Sequence, residues 1–263
     1  VLLMRKCIVI TGASSGIGKA CAEYLSDDNV VYGISRTKAP NVLYKQICCD
    51  VTNYQELEKA INSIYDLEGR IDVLINNAGM GISGSFEYMD NKKIKKQLDV
   101  NILGVINTSK ICIPYLKESA GKIINIASLA AIFPIPYQSY YSLTKAAIMN
   151  LSCSMANELK PFKVSVGFLL LGDIQTNFTY NRIKNNDESI DYEAKVNKSL
   201  EKMEKDEQNG QKPEKIAKYI SKLIDKKRIP LKRTIGIKNK ILVLLYKLLP
   251  LRLVNYIISK MYG

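Results

Sequence analysis

Thr11-Gly12-Ala13-Ser14-Ser15-Gly16-Ile17-Gly18 follows the apolar run Cys7-Ile8-Val9-Ile10 and opens into a helical-looking stretch from Lys19 to Leu25. A buried strand feeding a glycine turn that starts a helix is an anion site. The glycines let backbone N–H groups approach a pyrophosphate, and the helix N-terminus supplies partial positive charge. The turn reads as a dinucleotide cradle whose candidate contacts are Gly12, Ser14, Ser15, Gly16, Ile17 and Gly18. A P-loop does not fit, because that pattern needs glycine where Ala13 stands and a magnesium-binding Ser or Thr where Ala20 stands.

The 263 residues, 47% of them apolar, are enough to bury the core of one α/β domain. Six cysteines lie mostly in apolar segments without metal-ligand spacing, so buried thiols in a reducing compartment are expected, with no disulfide and no metal site. Histidine is absent, which removes a Ser-His-Asp mechanism and a Cys-His pair. Proton transfer is left to Tyr, Lys or a carboxylate. The opening Val1 to Ile10 is short and interrupted by Arg5 and Lys6, so no signal peptide is read, a start at Met4 is expected, and the location expected is cytoplasmic.

Val30 to Ile34 reads as the second strand of a β-α-β unit, ending in Ser35-Arg36-Thr37-Lys38. An acid at that strand end would bond the adenosine ribose hydroxyls and repel a 2′-phosphate. Ser35 stands there instead, with Arg36 and Lys38 able to neutralise the phosphate, so NADP(H) is favoured over NAD(H). Further strands are read at Tyr44 to Cys49, Ile71 to Ile75, Lys122 to Ile126, Val164 to Leu171 and Thr234 to Ile237, and helices at Asn53 to Leu67, Ile94 to Lys117 and Pro213 to Lys226. Six or seven strand-helix steps predict a Rossmann-type, doubly wound parallel sheet in one domain. Asp50, at the end of its strand, also reads as a helix cap.

Tyr141 and Lys145 stand four residues apart at the start of an apolar helix, so they project from one face. That spacing lets one lysine serve both the phenol and a cofactor ribose. Neither Tyr137 nor Tyr140 has a lysine at that spacing. Ser128 lies thirteen residues before Tyr141, at the end of a strand.

The Thr-Gly-x-x-x-Gly-x-Gly turn, the tetrapeptide Asn76-Asn77-Ala78-Gly79 and the Ser128, Tyr141, Lys145 constellation together resemble the short-chain dehydrogenase/reductase family, over roughly Lys6 to Thr176. The resemblance implies hydride transfer between a nicotinamide and a carbonyl or secondary alcohol, with Tyr141 exchanging the proton. Lys145 and the oxidised nicotinamide are expected to make that phenol acidic, and Ser128 to bond the substrate oxygen. It further implies that Asn101 holds a water linking Lys145 to solvent at a helix kink, and that Asp50 and Val51 contact the adenine. Asn77, Ala78 and Gly79 would admit the ribose, and Ile174 and Thr176 would reach the nicotinamide carboxamide. Leu171 replaces the family's usual proline at the start of that last loop, which relaxes its backbone.

Asn177 to Gly210 is polar and weakly periodic, and is read in part as a substrate lid or as a surface helix pair. From Lys212 to Gly263 there are 14 Lys/Arg against 2 acids, so the basic charge sits in the tail. Two amphipathic helices joined at Pro250 are predicted, making residues 1–237 the catalytic domain and 238–263 a basic extension. That extension is left to cover the substrate mouth, meet a membrane interface, pack on the core or form a dimer contact. Nucleic acid is not an expected partner, since no recognised module accompanies the basic residues. A lipophilic substrate such as a steroid or lipid ketone is expected. The alternatives are a β-ketoacyl reductase or a non-catalytic NADPH sensor. A homodimer or homotetramer, built on the helices at Ile94 to Lys117 and Ser139 to Asn157, is what the resemblance implies.

Overall fold

Side-chain alternation along β1 (Cys7–Thr11) divides the core into two layers: Ile8 and Ile10 enter one apolar cluster, Cys7 and Val9 the other. The computed structural model describes residues 5–185 and 188–263. The opening Val1 to Met4, with its expected start, and Asn186 and Asp187 of the expected lid lie outside the described residues.

The remaining strands are β2 (Val30–Ser35), β3 (Lys45–Cys48), β4 (Val73–Asn76), β5 (Ile82–Ser83), β6 (Lys122–Ser128), β7 (Ser165–Leu171), β8 (Ile183–Lys184) and β9 (Lys232–Thr234). The helices are α1 (Gly16–Ser26), α2 (Tyr54–Glu68), α3 (Asn91–Leu98), α4 (Gly104–Glu118), α5 (Ser139–Glu158), α6 (Phe178–Asn181), α7 (Ile190–Gln208), α8 (Pro213–Ile224), α9 (Ile237–Leu248) and α10 (Leu251–Tyr262). Seven strands form one sheet in the order β3-β2-β1-β4-β6-β7-β9, every neighbouring pair parallel. Parallel strands need crossovers, and these place α1 and α8 on one face and α2, α4 and α5 on the other. The result is the single-domain, Rossmann-type doubly wound sheet the periodicity predicts, with α9 and α10 as its helical extension. The strand order reverses between β1 and β4, which puts the ligand crevice at their C-terminal ends.

Three boundaries differ from the sequence reading. The single helix expected from Ile94 to Lys117 is α3, then one π-helical turn (Asp99–Leu103), then α4. The wider turn buries Asn101, and such bulges gather at functional sites. The last strand ends at Thr234, because Gly236, at a φ of 95°, turns the chain into α9. Asp50 does not cap α2: Asn53 does, accepting from Glu56 N, while Asp50 accepts from the backbone and hydroxyl of Thr52.

A line of buried amides ties the layers together. Asn76 Nδ2 donates to Asn125 Oδ1 at 2.8 Å, linking β4 to β6, and Asn125 Nδ2 donates to Ser152 Oγ at 2.8 Å, linking β6 to α5. The polar segment after β7 is anchored: β8 pairs with β5, and the fully buried Arg182 side chain forms an ion pair with Glu207 of α7. At the far end α9 packs Val243 against Phe168 and Leu170 of β7, and Tyr262 of α10 packs against Leu200 and Met203 of α7.

Candidate active site

The glycine turn is held by the strand beside it. Thr11 Oγ1 accepts from the backbone N–H groups of Asn77 and Ala78, both at 3.0 Å, and Asn77 Nδ2 donates to the carbonyls of Thr11 and Gly12. Gly12 sits at a φ of 68°, and a Cβ there would stand 2.8 Å from the Ala78 Cα; at Gly18 it would stand 2.2 Å from the Gly12 carbonyl oxygen. Both positions therefore exclude any side chain.

Ser15 precedes α1 without a side-chain capping bond, and the first turn of α1 carries no acid. A helix start whose orphan N–H groups have no side-chain cap and no negative neighbour fits a pyrophosphate. Gly12, Ser14, Ser15, Gly16 and Ile17 line one end of a cavity of about 1550 Å³, and Gly18 packs beneath the turn. Ser35, Arg36 and Lys38 line the same cavity at the end of β2. The Ser35 hydroxyl donates to the Thr37 carbonyl, whereas Arg36 and Lys38 are exposed and form no ion pair among the described residues. Asp50, Val51, Asn77, Ala78 and Gly79 complete this wall. Ile174 and Thr176 also line it, and the Thr176 side chain reaches within 3.3 Å of where a Gly16 Cβ would be.

Ser128, Tyr141 and Lys145 all line this cavity. Ser128 ends β6 and Tyr141 lies in the first turns of α5, so a strand end and a helix start bring both side chains to the same cavity, where the Ser128 hydroxyl accepts from Ala130 N. Lys145 is 8% exposed; its Nζ donates to the Ile126 carbonyl at 2.9 Å and lies 5.6 Å from the Tyr141 ring centroid. Burial lowers its pKa from the usual 10.5 to about 8.

The acidic phenol expected at Tyr141 rests on Lys145 together with the oxidised nicotinamide; the protein's own groups push the other way. Burial pushes the phenol's pKa up to about 12, the nearby Ser128 hydroxyl opposes that rise, and Glu207 and Asp173 add to it while Arg182 counters it. The Lys145 ammonium meanwhile donates to the Ile126 backbone carbonyl.

Asn101 lies behind this group, in the π-helical turn. Its Oδ1 accepts from Met80 N at 2.8 Å, and its Nδ2 donates to the Met80 carbonyl and to Thr144 Oγ1. Both amide hydrogens are engaged, leaving only acceptor capacity on the side chain for a water.

Four side chains around Tyr141 were not singled out by sequence. The Phe178 ring lies 5.5 Å from the Tyr141 ring, and Arg182 lies over Phe178 while pairing with Glu207. Asp173 lines the cavity with no ion-pair partner within 4 Å among the described residues. Asp173 is exposed, but partial desolvation at the cavity wall raises its carboxyl pKa first, and Asp206 and Glu207 raise it further. Its one signal in the sequence was its place between Gly172 and Ile174. The far wall is apolar and comes from α9 and α10, through Leu242, Leu245, Leu249, Val254, Ile258 and Tyr262.

Residues 6–187 match the family described as short chain dehydrogenase. The chain is 39% identical over 234 residues to a 3-ketodihydrosphingosine reductase of Bacteroides thetaiotaomicron, covering 87% of each protein. It is 33% identical over 251 residues, 92% of each, to a probable short-chain type dehydrogenase/reductase of Helicobacter pylori. A solved short-chain dehydrogenase from Streptomyces avermitilis superposes with a TM-score of 0.80 at 26% identity, over 93% of this chain and 92% of that one. With the cradle, the sheet reversal and these matches in agreement, the chain belongs to the short-chain dehydrogenase/reductase family, oxidoreductases that act on CH–OH and C=O groups with a nicotinamide cofactor.

Proposed function

We propose that the chain is an NADP(H)-dependent reductase of a long-chain lipid ketone, with residues 1–237 as the catalytic domain and 238–263 as an extension that walls the substrate cavity. The observation that carries this reading is one cavity with three regions: a pyrophosphate-type cradle, the Ser128, Tyr141 and Lys145 group, and the apolar wall from α9 and α10. Arg36 and Lys38, exposed beside Ser35, support the 2′-phosphate form of the cofactor.

When bound, the nicotinamide supplies the hydride that goes to the carbonyl carbon. Ser128 donates to the carbonyl oxygen and orients it. Tyr141 then delivers its proton to that oxygen as charge develops there. The phenol is neutral at neutral pH, the form in which it can donate that proton. Lys145, with a pKa near 8, stays largely charged at neutral pH and returns a proton to the phenolate, and Asn101 holds the water that resupplies it.

The Bacteroides relative is named for a 3-keto sphingoid base, in which an ammonium sits beside the ketone on a long alkyl chain. Asp173 offers a carboxylate in the cavity for such an ammonium, and the apolar wall receives the chain. Six free thiols suit a reducing cytoplasm. Exposed Leu103 beside α4 and Leu143 on α5 support a homodimer or homotetramer through those helices.

Oxidation of NADPH and of NADH is to be followed with a panel of ketones: long-chain amino ketones, the same chains without the amine, a steroid ketone and a β-ketoacyl thioester. Preferred turnover of the amino ketone with NADPH is expected. Tight NADPH binding without turnover on any member would make the chain a sensor.

A further inference from the structure

We propose that the pair α9 and α10 is a docking surface for an anionic lipid bilayer, seating the mouth of the cavity against the membrane. Each helix has two faces. Val243, Val254 and Ile258 are buried inward, whereas Ile241, Leu244, Leu248, Leu251, Leu253 and Tyr256 are exposed outward. The outward apolar residues culminate at the apex around Pro250, where Leu248 is 71% and Leu251 67% exposed, and neither lines the cavity.

Charge selects the occupant of that face. From Lys226 to Gly263 the chain carries ten Lys/Arg and no Asp or Glu. On the helix pair these are Lys238, Lys240, Lys247, Arg252 and Lys260, all exposed and without an ion pair among the described residues. A second copy seated face to face would set like charges against each other. An anionic headgroup layer over hydrocarbon satisfies both features: Lys247 and Arg252 flank the apex at headgroup level while Leu248 and Leu251 enter the acyl boundary. No helix among the described residues is long and apolar enough to cross a membrane, so the contact is interfacial.

The cavity reaches the same two helices. Leu245, Ile257 and Met261 line it and are also exposed, so the helix pair forms part of its open rim. A lipid ketone in the bilayer would pass into the cavity headgroup-end first without crossing water. This substrate route rests on the reading of a lipid ketone as substrate; the docking face does not.

The test uses the full chain and flotation with vesicles of phosphatidylcholine alone or with one third phosphatidylglycerol. Binding to the anionic vesicles is expected, weakened by salt, and reduced at least about tenfold by Leu248→Glu with Leu251→Glu. NADPH oxidation with a short water-soluble ketone should stay within about twofold in that variant, reporting an intact fold. Leu248→Trp adds the only tryptophan to a chain that has none, and its emission should shift to the blue on anionic vesicles. Wild-type protein left in the aqueous layer, or an unshifted tryptophan, overturns docking. So does light scattering in which the double Glu variant splits a larger assembly. Docking without turnover on any ketone would overturn only the assigned substrate.

Discussion

Tyr141 illustrates how burial and charge compete over one proton. The phenol is held neutral by desolvation, so it gives a proton readily only to an oxygen that is itself becoming an anion. Tyr141→Phe should leave NADPH affinity nearly unchanged and cut turnover by about 10²–10⁴-fold, measured by cofactor fluorescence titration beside steady-state rates. Retained activity within about tenfold would remove Tyr141 from the reaction. Lys145 has a folded pKa near 8 against the usual 10.5, so the unfolded chain binds more protons between those values. Stability of the cofactor-free protein should therefore rise with pH from about 8 to 10.5, by on the order of 3 kcal/mol relative to Lys145→Met, which lacks that slope. Urea unfolding midpoints of the two proteins across this range provide the check. Asp173→Asn should raise KM for a long-chain amino ketone by about tenfold, as expected for a lost charge pair, and leave a ketone without the amine unaffected.

Among the elements, the junction of β1 and β4 carries the most weight per residue. Thr11 Oγ1 accepts two backbone N–H groups from β4's outgoing turn, and Thr11 is itself buried. Thr11→Val keeps the shape and removes the acceptor, so it should cost about 2–4 kcal/mol by urea unfolding and weaken NADPH binding in parallel, while Thr11→Ser restores both. This junction was legible in sequence because glycine spacing and the Asn-Asn-Ala-Gly run report backbone geometry directly. The helix through Asn101 was only partly legible. Its apolar periodicity continues through the π-helical turn, so the sequence showed where a kink is placed by resemblance and not that α3 and α4 are separate. The alternative reading of Asp50 as a cap gives way to Asn53, which lies directly before the first turn.

At the level of the whole molecule, the buried sheet and the rim follow different rules. The sheet order and both core layers follow from alternating apolar strands, which local pattern encodes. The rim does not, because the convergence of Asp173, Phe178, Arg182 and Glu207 near Tyr141 depends on how the segment after β7 and α7 close over the sheet. Two helices joined at Pro250 were readable; which face of them meets the cavity was not. Ile258 belongs to that inner face, so Ile258→Asp should raise KM for a long-chain ketone by about tenfold or more. A short ketone should be turned over as in the wild type, since the central group lies in the body of the fold.

The amide line from Asn76 through Asn125 to Ser152 sets a limit on how such a protein diversifies. It fastens the strand that shapes the cradle to the helix that carries Tyr141 and Lys145, so a change in one is transmitted to the other. New substrate preferences are therefore easiest to acquire at the outer helices, by exchanging side chains there, while the hydride and proton machinery is inherited as a unit.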